Sequence, residues 1–258
     1  FLIPMSEKQL KLPISVCMLV KNEADRLIKS LPPLSIFEEV LVYDSGSTDK
    51  SLEICEQFGA KVISGEWLGF SESRKKLFSE ASQPWIFWLD ADEVITAELS
   101  DELSSINLES PHCEGFEVNR KVFFEKQWIT HGEWFPDWNL RIFRSNCWEI
   151  EHRDVHEGIS IKGTSKRLEG LLEHHSYRNW NDRNLRMEKY SELWAQMKLK
   201  EGVKTFMGEG TLRAIWRFFR NYIIKLGFLD GILGLKISIS IAKEVNLKYM
   251  KLYQLHSQ

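Results

Sequence analysis

The stretch Trp85-Ile86-Phe87-Trp88-Leu89-Asp90-Ala91-Asp92-Glu93 decides the fold. Its five leading apolar residues predict a strand covered on both faces, as in a parallel sheet. The strand then breaks into carboxylates two residues apart. A lone carboxylate is costly to bury, so this end must reach solvent or meet a cation. Working outward towards the N-terminus, three more strands of the same kind are predicted, over Ile14 to Val20, Glu39 to Tyr43 and Ala60 to Ile63. Helices are predicted between them: from Ala24 to just before Pro32-Pro33, over Lys50 to Phe58 with Gly59 as its stop, and over Ser71 to Ser79. Strands and helices alternating through short connections imply an α/β fold with a mostly parallel, Rossmann-type sheet and flanking helices. Ligands of such sheets bind beyond the carboxyl ends of the strands. Three of those ends carry polar groups: Asn22-Glu23, Asp44, and Asp90 with Asp92.

The chain has 258 residues, 43% hydrophobic and 28% charged, which excludes disorder over its length and allows a core that needs no disulfide or structural metal. Its formal net charge of −3 hides an asymmetry. The first 110 residues hold 19 acids and 10 bases, whereas residues 204–258 hold 9 bases and 3 acids. A basic end of this kind favours anionic surfaces, while a protein of nucleic acids is more often basic throughout. Cys17, Cys55, Cys113 and Cys147 stand singly, the pattern of free thiols in a reducing compartment. No signal peptide and no uninterrupted spanning segment is visible, which predicts a cytoplasmic location.

From about Gly115 to Ile161 the chain is irregular and rich in aromatics, Trp128, Trp134 and Trp138 among them, and mixed strands with functional loops are expected. From Asn179 onward the pattern is helical. Ile215, Phe218, Phe219, Tyr222 and Ile223 recur at helical spacing with Arg213, Arg217 and Arg220 on the other side, a basic amphipathic face suited to packing on its own domain or to lying on anionic lipid. The expected organisation is a catalytic domain over 12–178, divided into a donor half (12–110) and an acceptor half (111–178), followed by a helical region over 179–258.

The motifs Val20-Lys21-Asn22-Glu23, Val42-Tyr43-Asp44-Ser45-Gly46-Ser47-Thr48-Asp49 and Trp88-Leu89-Asp90-Ala91-Asp92, in this order and spacing, resemble the inverting glycosyltransferases of family 2, which have the GT-A fold. Trp134-Phe135-Pro136-Asp137-Trp138-Asn139-Leu140-Arg141-Ile142-Phe143-Arg144 and Val155-His156-Glu157 are similar to the bacterial branch that extends the lipopolysaccharide core. Ser45 departs from the pattern, standing where many members carry a second Asp.

The resemblance implies a nucleotide-sugar donor, UDP-linked in preference, a divalent metal (Mn²⁺ or Mg²⁺) and a lipid-linked or lipopolysaccharide-core acceptor. Asp44 would accept from the uracil imide, with Val20, Asn22 and Glu23 walling the nucleoside. Arg74 or Lys75 would lie near the nucleotide. Asp90 would hold ribose or metal, Ala91 would lie between it and Asp92, and Asp92 would ligate the metal on the diphosphate. His156 is a candidate third ligand, and His174 and His175 candidates to cap the acceptor cleft. Inversion needs a carboxylate to take the acceptor proton. Glu157 is preferred, and Asp137 is the alternative unless a salt bridge to Arg141 or Arg144 occupies it. Arg141 and Arg144 could grip the diphosphate or an acidic acceptor, since guanidinium forks suit such groups. Trp134 and its neighbours could stack on sugar. The basic helices would then hold the enzyme on the inner face of the cell membrane. Alternatives are a peptide glycosyltransferase of the same fold, a nucleotidyltransferase, disfavoured because no glycine follows the first strand, and a membrane-associated binding module. The absence of a phosphate-cradling glycine-rich loop disfavours an ATPase.

Overall fold

The computed structural model describes residues 11–124, 126–151 and 158–256. The chain divides into two compact units, the first built from residues 11–119, 138–151 and 158–173 and the second from 120–137 and 174–256.

The first unit opens with β1 (Leu12–Val20), α1 (Ala24–Ser30), β2 (Phe37–Asp44), α2 (Ser51–Gln57), β3 (Lys61–Ser64), α3 (Phe70–Ser79) and β4 (Trp85–Trp88). A 3-10 turn over Pro32–Ile36 links α1 to β2, as two prolines that cannot continue a helix require. The sheet order β3-β2-β1-β4 is parallel throughout, so this part matches the expected Rossmann-type half. Beyond β4 the sheet turns antiparallel, and this makes it mixed. β8 (Trp138–Arg144) pairs with β4 on one side and with β6 (Gly115–Phe124) on the other. β11 (Ser165–His174) and the short β5 (Glu93–Ile95) complete the order. Between them in sequence lies α4 (Ala97–Ser105), capped by Thr96, whose hydroxyl accepts from the Leu99 amide. Gly170 sits so close to the Leu99 backbone that a Cβ there would collide with it. β9 (Trp148–Glu151) and β10 (Gly158–Ile161) form a separate hairpin.

The strands are apolar because both faces are covered. Ile14, Val16 and Met18 of β1 join Leu27, Leu34, Phe87 and Leu99 in one core, and Cys17, Leu41, Phe78, Ile86 and Phe143 form another. All four cysteines are free, three of them buried. Burial pushes the thiol of Cys55 up to about 11 and that of Cys17 higher still, the behaviour of inert packing residues.

The second unit contains the distal part of β6 with its partner β7 (Gln127–Trp128), then α5 (Trp180–Lys200), α6 (Glu209–Phe219) and α7 (Gly231–His256). Asn179 caps α5 by accepting from the Asp182 amide. A π-turn over Arg220–Ile224 and a 3-10 turn over Gly227–Asp230 join α6 to α7. Buried Asp230 fixes this junction by accepting from the Thr130 hydroxyl at 2.7 Å and the His131 amide at 2.9 Å. Asn221 links Glu133 to Ser238 in a second buried polar chain.

The α6 face departs from expectation. Arg217 and Arg220 both pair with Glu133 at 2.9 Å, and Arg213 pairs with Glu209 at 2.7 Å. The arginines are therefore engaged within the protein, while Leu212, Ile215, Trp216, Phe219 and Ile223, at helical spacing, are exposed. No helix among the described residues is long and apolar enough to cross a membrane.

Candidate active site

The carboxyl ends of β1, β2 and β4 set the site. β2 ends at Asp44, whose buried carboxylate accepts from the amides of Gly46 (3.0 Å) and Ser47 (3.1 Å) and from the Ser47 hydroxyl (2.5 Å). Both oxygens are thus engaged by the following loop, an Asx-type turn that Gly46 permits with a φ of 92°. Asn22, at the end of β1, adopts a φ of 56°, a conformation Asn tolerates better than most residues. Its side-chain oxygen accepts from the Thr48 amide at 2.8 Å, and its own amide donates to the Ser47 hydroxyl at 2.9 Å. The Glu23 amide donates to the Ser51 hydroxyl, and the Ala24 amide to Asp49. The hydroxyl of Ser51 holds the Asp49 carboxyl below its ordinary range. The two loops after β1 and β2 are therefore buckled together, with Asn22 and Asp44 as the buckles. Ser45, directly after β2, ties that end to β1, its amide donating to the Val20 carbonyl at 3.2 Å.

Beyond β4 the chain places Asp90, Asp92 and Glu93 among three guanidinium groups. Glu93 is fully buried, accepts from the Asp90 amide at 3.0 Å and forms an ion pair with Arg141. The Arg141 Nη2 also lies 3.1 Å from Asp90 Oδ2, and Arg74 Nη2 lies 4.0 Å from Asp90 Oδ1. Both guanidinium groups rest against the Trp88 ring, at 4.0 Å for Arg74 and 4.4 Å for Arg141. Arg26 of α1 bridges Glu23 at 3.1 Å and Asp92 at 3.5 Å. Burial, and then the charges of Asp90 and Glu93, push the Asp92 carboxyl up to about 7, with Arg26 opposing.

Among the described residues, four carboxylates (Glu23, Asp90, Asp92, Glu93) and three guanidiniums (Arg26, Arg74, Arg141) meet here. This donor set fits a hard divalent cation through Asp92 and Asp90, since a cation would relieve the carboxylate repulsion that raises Asp92. Among the described residues no three His, Cys, Asp or Glu side chains are grouped as a metal cage. Mg²⁺-type ions that take one or two carboxylates and complete their shell with phosphate oxygens do not require one. Arg141 keeps Nε and Nη1 buried without a hydrogen-bond partner among the described residues.

Of the residues singled out from the sequence, Asp90, Asp92, Arg74 and Arg141 come together here, with Ala91 buried between the two aspartates. Lys75 turns away to Glu72 at 2.6 Å. Arg144 does not join Arg141. Residues three apart on a strand face opposite sides of the sheet, and Arg144 pairs with Glu114 at 3.0 Å beside Trp85. The partner of Asp137 is neither Arg141 nor Arg144 but Arg120, at 2.6 Å. Trp134 packs on Phe124 and Tyr177, Trp128 on Phe135, and Trp138 carries Arg167 over its ring. His175 stacks on Phe123, and His174 hydrogen-bonds Ser176. His156 and Glu157 lie outside the described residues. Glu93 and Arg26 were not singled out. An acid that follows two others, and an arginine on an ordinary helix, carry no spacing signal that marks them.

Residues 15–158 match the sequence profile of glycosyl transferase family 2. Over nearly its whole length the chain is similar to a Rickettsia felis protein named "Uncharacterized glycosyltransferase", at 28% identity over 93% of this chain and 89% of that one. It is also similar to the lipopolysaccharide core biosynthesis glycosyltransferase LpsC of Rhizobium meliloti, at 26% identity over 96% of this chain and 94% of the relative. Among solved structures, the mannosyltransferase PcManGT of Pyrobaculum calidifontis, in complex with GDP-Man and Mn²⁺, superposes with a TM-score of 0.51 at 10% identity. The match covers 94% of this chain and 87% of that one, a likeness of fold.

Proposed function

The chain belongs to glycosyl transferase family 2, and on that premise we propose that it transfers a sugar, with inversion, from a UDP-linked donor to a lipid-linked saccharide of the lipopolysaccharide-core type at a membrane surface. One observation carries the reading: Asp90 meets Arg74 and Arg141, and Asp92 meets Arg26, beyond the carboxyl end of β4, where α/β sheets bind their ligands. Similarity to LpsC along almost the whole of both chains supports the acceptor class.

In this reading Asp92 and Asp90 would hold Mn²⁺ or Mg²⁺, which would supply positive charge to offset that developing on the departing nucleoside diphosphate. The chain supplies the rest. The Arg141 guanidinium adds positive charge beside Asp90, and Glu93 keeps it in place. Arg74, held flat against Trp88, adds positive charge on the same side. The buckled loops around Asn22 and Asp44 form the wall of the nucleoside pocket. A carboxylate accepts the proton of the acceptor hydroxyl as its oxygen attacks the anomeric carbon opposite the leaving diphosphate. Glu157 is assigned this role, with Asp137 as the alternative.

The test is release of nucleoside diphosphate from a panel of UDP-, GDP-, ADP- and CMP-sugars, with purified lipopolysaccharide-core acceptors and added Mn²⁺ or Mg²⁺. Turnover with UDP-sugars, and a product of inverted anomeric configuration by NMR, is expected. Acceptor-dependent turnover with another nucleotide class would correct the donor, and a product of retained configuration would overturn the mechanism.

A further inference from the structure

The helical unit contains a cavity of about 320 Å³ between α5 and α7, lined by Trp180, Asn184, Lys236, Ile239, Ser240 and Lys243. Lys236, Ser240 and Lys243 follow one another at i, i+4 and i+7 and so share one face of α7. Neither lysine has an acidic partner among the described residues, and both are exposed. The acids nearest in sequence are already engaged, Asp230 by the Thr130 hydroxyl and the His131 amide and Glu244 by Arg183 at 2.6 Å and Lys248 at 2.8 Å, and Asp182 of the facing α5 is held by Arg186 at 3.1 Å. Ser240 is 6% exposed, and its hydroxyl has no hydrogen-bond partner among the described residues. The Trp180 indole N–H is likewise buried and unpartnered. Both stand in a cavity bordered by two cations and the positively polarised N-terminal turn of the 21-residue α5.

Ile239 and Lys243 also form the rim of a neighbouring groove between α6 and α7, about 330 Å³ in volume and walled by Ala214, Ile215, Phe218 and Ala242. Ile215 belongs in turn to the exposed apolar run of α6 that continues through Trp216, Phe219 and Ile223. Cationic cavity, apolar groove and exposed apolar face are thus contiguous.

We propose that this pair of cavities binds an anionic membrane lipid, with the headgroup phosphate between Lys236 and Lys243 and an acyl chain in the groove beside Ile215. The inference deepens the membrane contact proposed above and rests on it. A free phosphate has no use for the apolar groove. A second copy of the chain would bring up the same surplus of bases, and like charges oppose that pairing. An anionic lipid satisfies both features, and bilayer contact would cover the exposed apolar residues.

The test is binding of the full chain to vesicles of phosphatidylcholine alone and of phosphatidylcholine with phosphatidylglycerol, read by flotation, with no donor or acceptor present. Wild type is expected to bind only the anionic vesicles. Lys236→Glu/Lys243→Glu is expected to weaken binding about tenfold, and Ser240→Val measurably, while the charge-matched Lys61→Glu/Lys166→Glu is not. Short-chain phosphatidylglycerol should displace the protein, and inorganic phosphate at the same concentration should not. Equal loss in the charge-matched control would reduce the effect to bulk charge and overturn the site. Undiminished binding of Lys236→Glu/Lys243→Glu would overturn the site while leaving membrane contact intact. Self-association without vesicle binding would assign the apolar face to a second copy instead. Nucleotide-sugar binding by Lys236→Glu/Lys243→Glu, measured in parallel, is expected to equal that of wild type, so failure of the lipid site and failure of the transferase reading remain distinguishable.

Discussion

Glu93 and Arg141, both buried, form an ion pair in which the arginine also reaches Asp90 Oδ2 at 3.1 Å, so a side chain outside the recognisable Asp-x-Asp motif holds that motif's cationic partner. Removing one member of a buried pair leaves an uncompensated charge, which costs about 3–5 kcal/mol. Glu93→Ala is therefore expected to lower stability by that amount in urea unfolding and to abolish turnover. Replacing both partners, as Glu93→Leu with Arg141→Met, is expected to recover most of the stability and none of the activity. A double variant as unstable as Glu93→Ala would argue against the pair.

Arg144 provides the contrast. Its partner Glu114 is on the surface, and exposed pairs contribute about 0–1 kcal/mol. Arg144→Ala is expected to leave stability within that range and the donor KM unchanged, whereas Arg141→Ala, refolded and checked by circular dichroism, should lose donor binding. Equal loss in both variants would restore the pairing of the two arginines that the sequence spacing suggested.

Asp92 makes stability depend on pH. Its carboxyl titrates near 7 in the folded protein against 3.8 ordinarily, mainly through burial. The folded state therefore binds more protons than the unfolded state between those values, and stability falls as pH rises across that window. Above pH 7 the charged carboxylate costs up to ~4 kcal/mol in metal-free protein. Asp92→Asn is expected to be the more stable protein in EDTA at pH 8 and to lose that advantage near pH 4. Thermal melts at the two pH values check this, and a variant less stable than wild type at pH 8 would contradict it.

Asn22 and Asp44 buckle the same pair of loops. Asn22→Ala loses the bond to the Thr48 amide and places a residue with less tolerance at a φ of 56°, a cost of about 1–3 kcal/mol. Both Asn22→Ala and Asp44→Ala are expected to raise the donor KM with a smaller effect on kcat. Because they act on one loop junction, the double variant should fall short of the sum of the two effects. Additive effects would mean that the residues act separately.

Much of this was legible in the sequence because parallel strands write themselves as short apolar runs whose ends are polar. The strands around Val16, Leu41, Val62 and Phe87, and the acidic end at Asp90 and Asp92, follow from that pattern. What was not legible depends on partners distant in the chain. Glu93 acquires its role from Arg141, and Arg26 from Asp92, neither of which local spacing reveals. The basic face assigned to α6 came from counting charges along the helix. Glu133, more than eighty residues away, takes up Arg217 and Arg220 and leaves the apolar side outward. The antiparallel half of the sheet was hidden for a related reason: β6 and β8 come from an aromatic region with no clean period.

The most direct measurement is calorimetric titration of UDP-sugars into wild type and Asp92→Ala, each with Mn²⁺ and with EDTA. Binding to wild type is expected to depend on Mn²⁺ and to fall at least about tenfold in a folded Asp92→Ala, a loss of about 1.4 kcal/mol or more. Binding of equal strength in the two proteins, or binding indifferent to the metal, would contradict the assignment of Asp90 and Asp92 as the metal and diphosphate site.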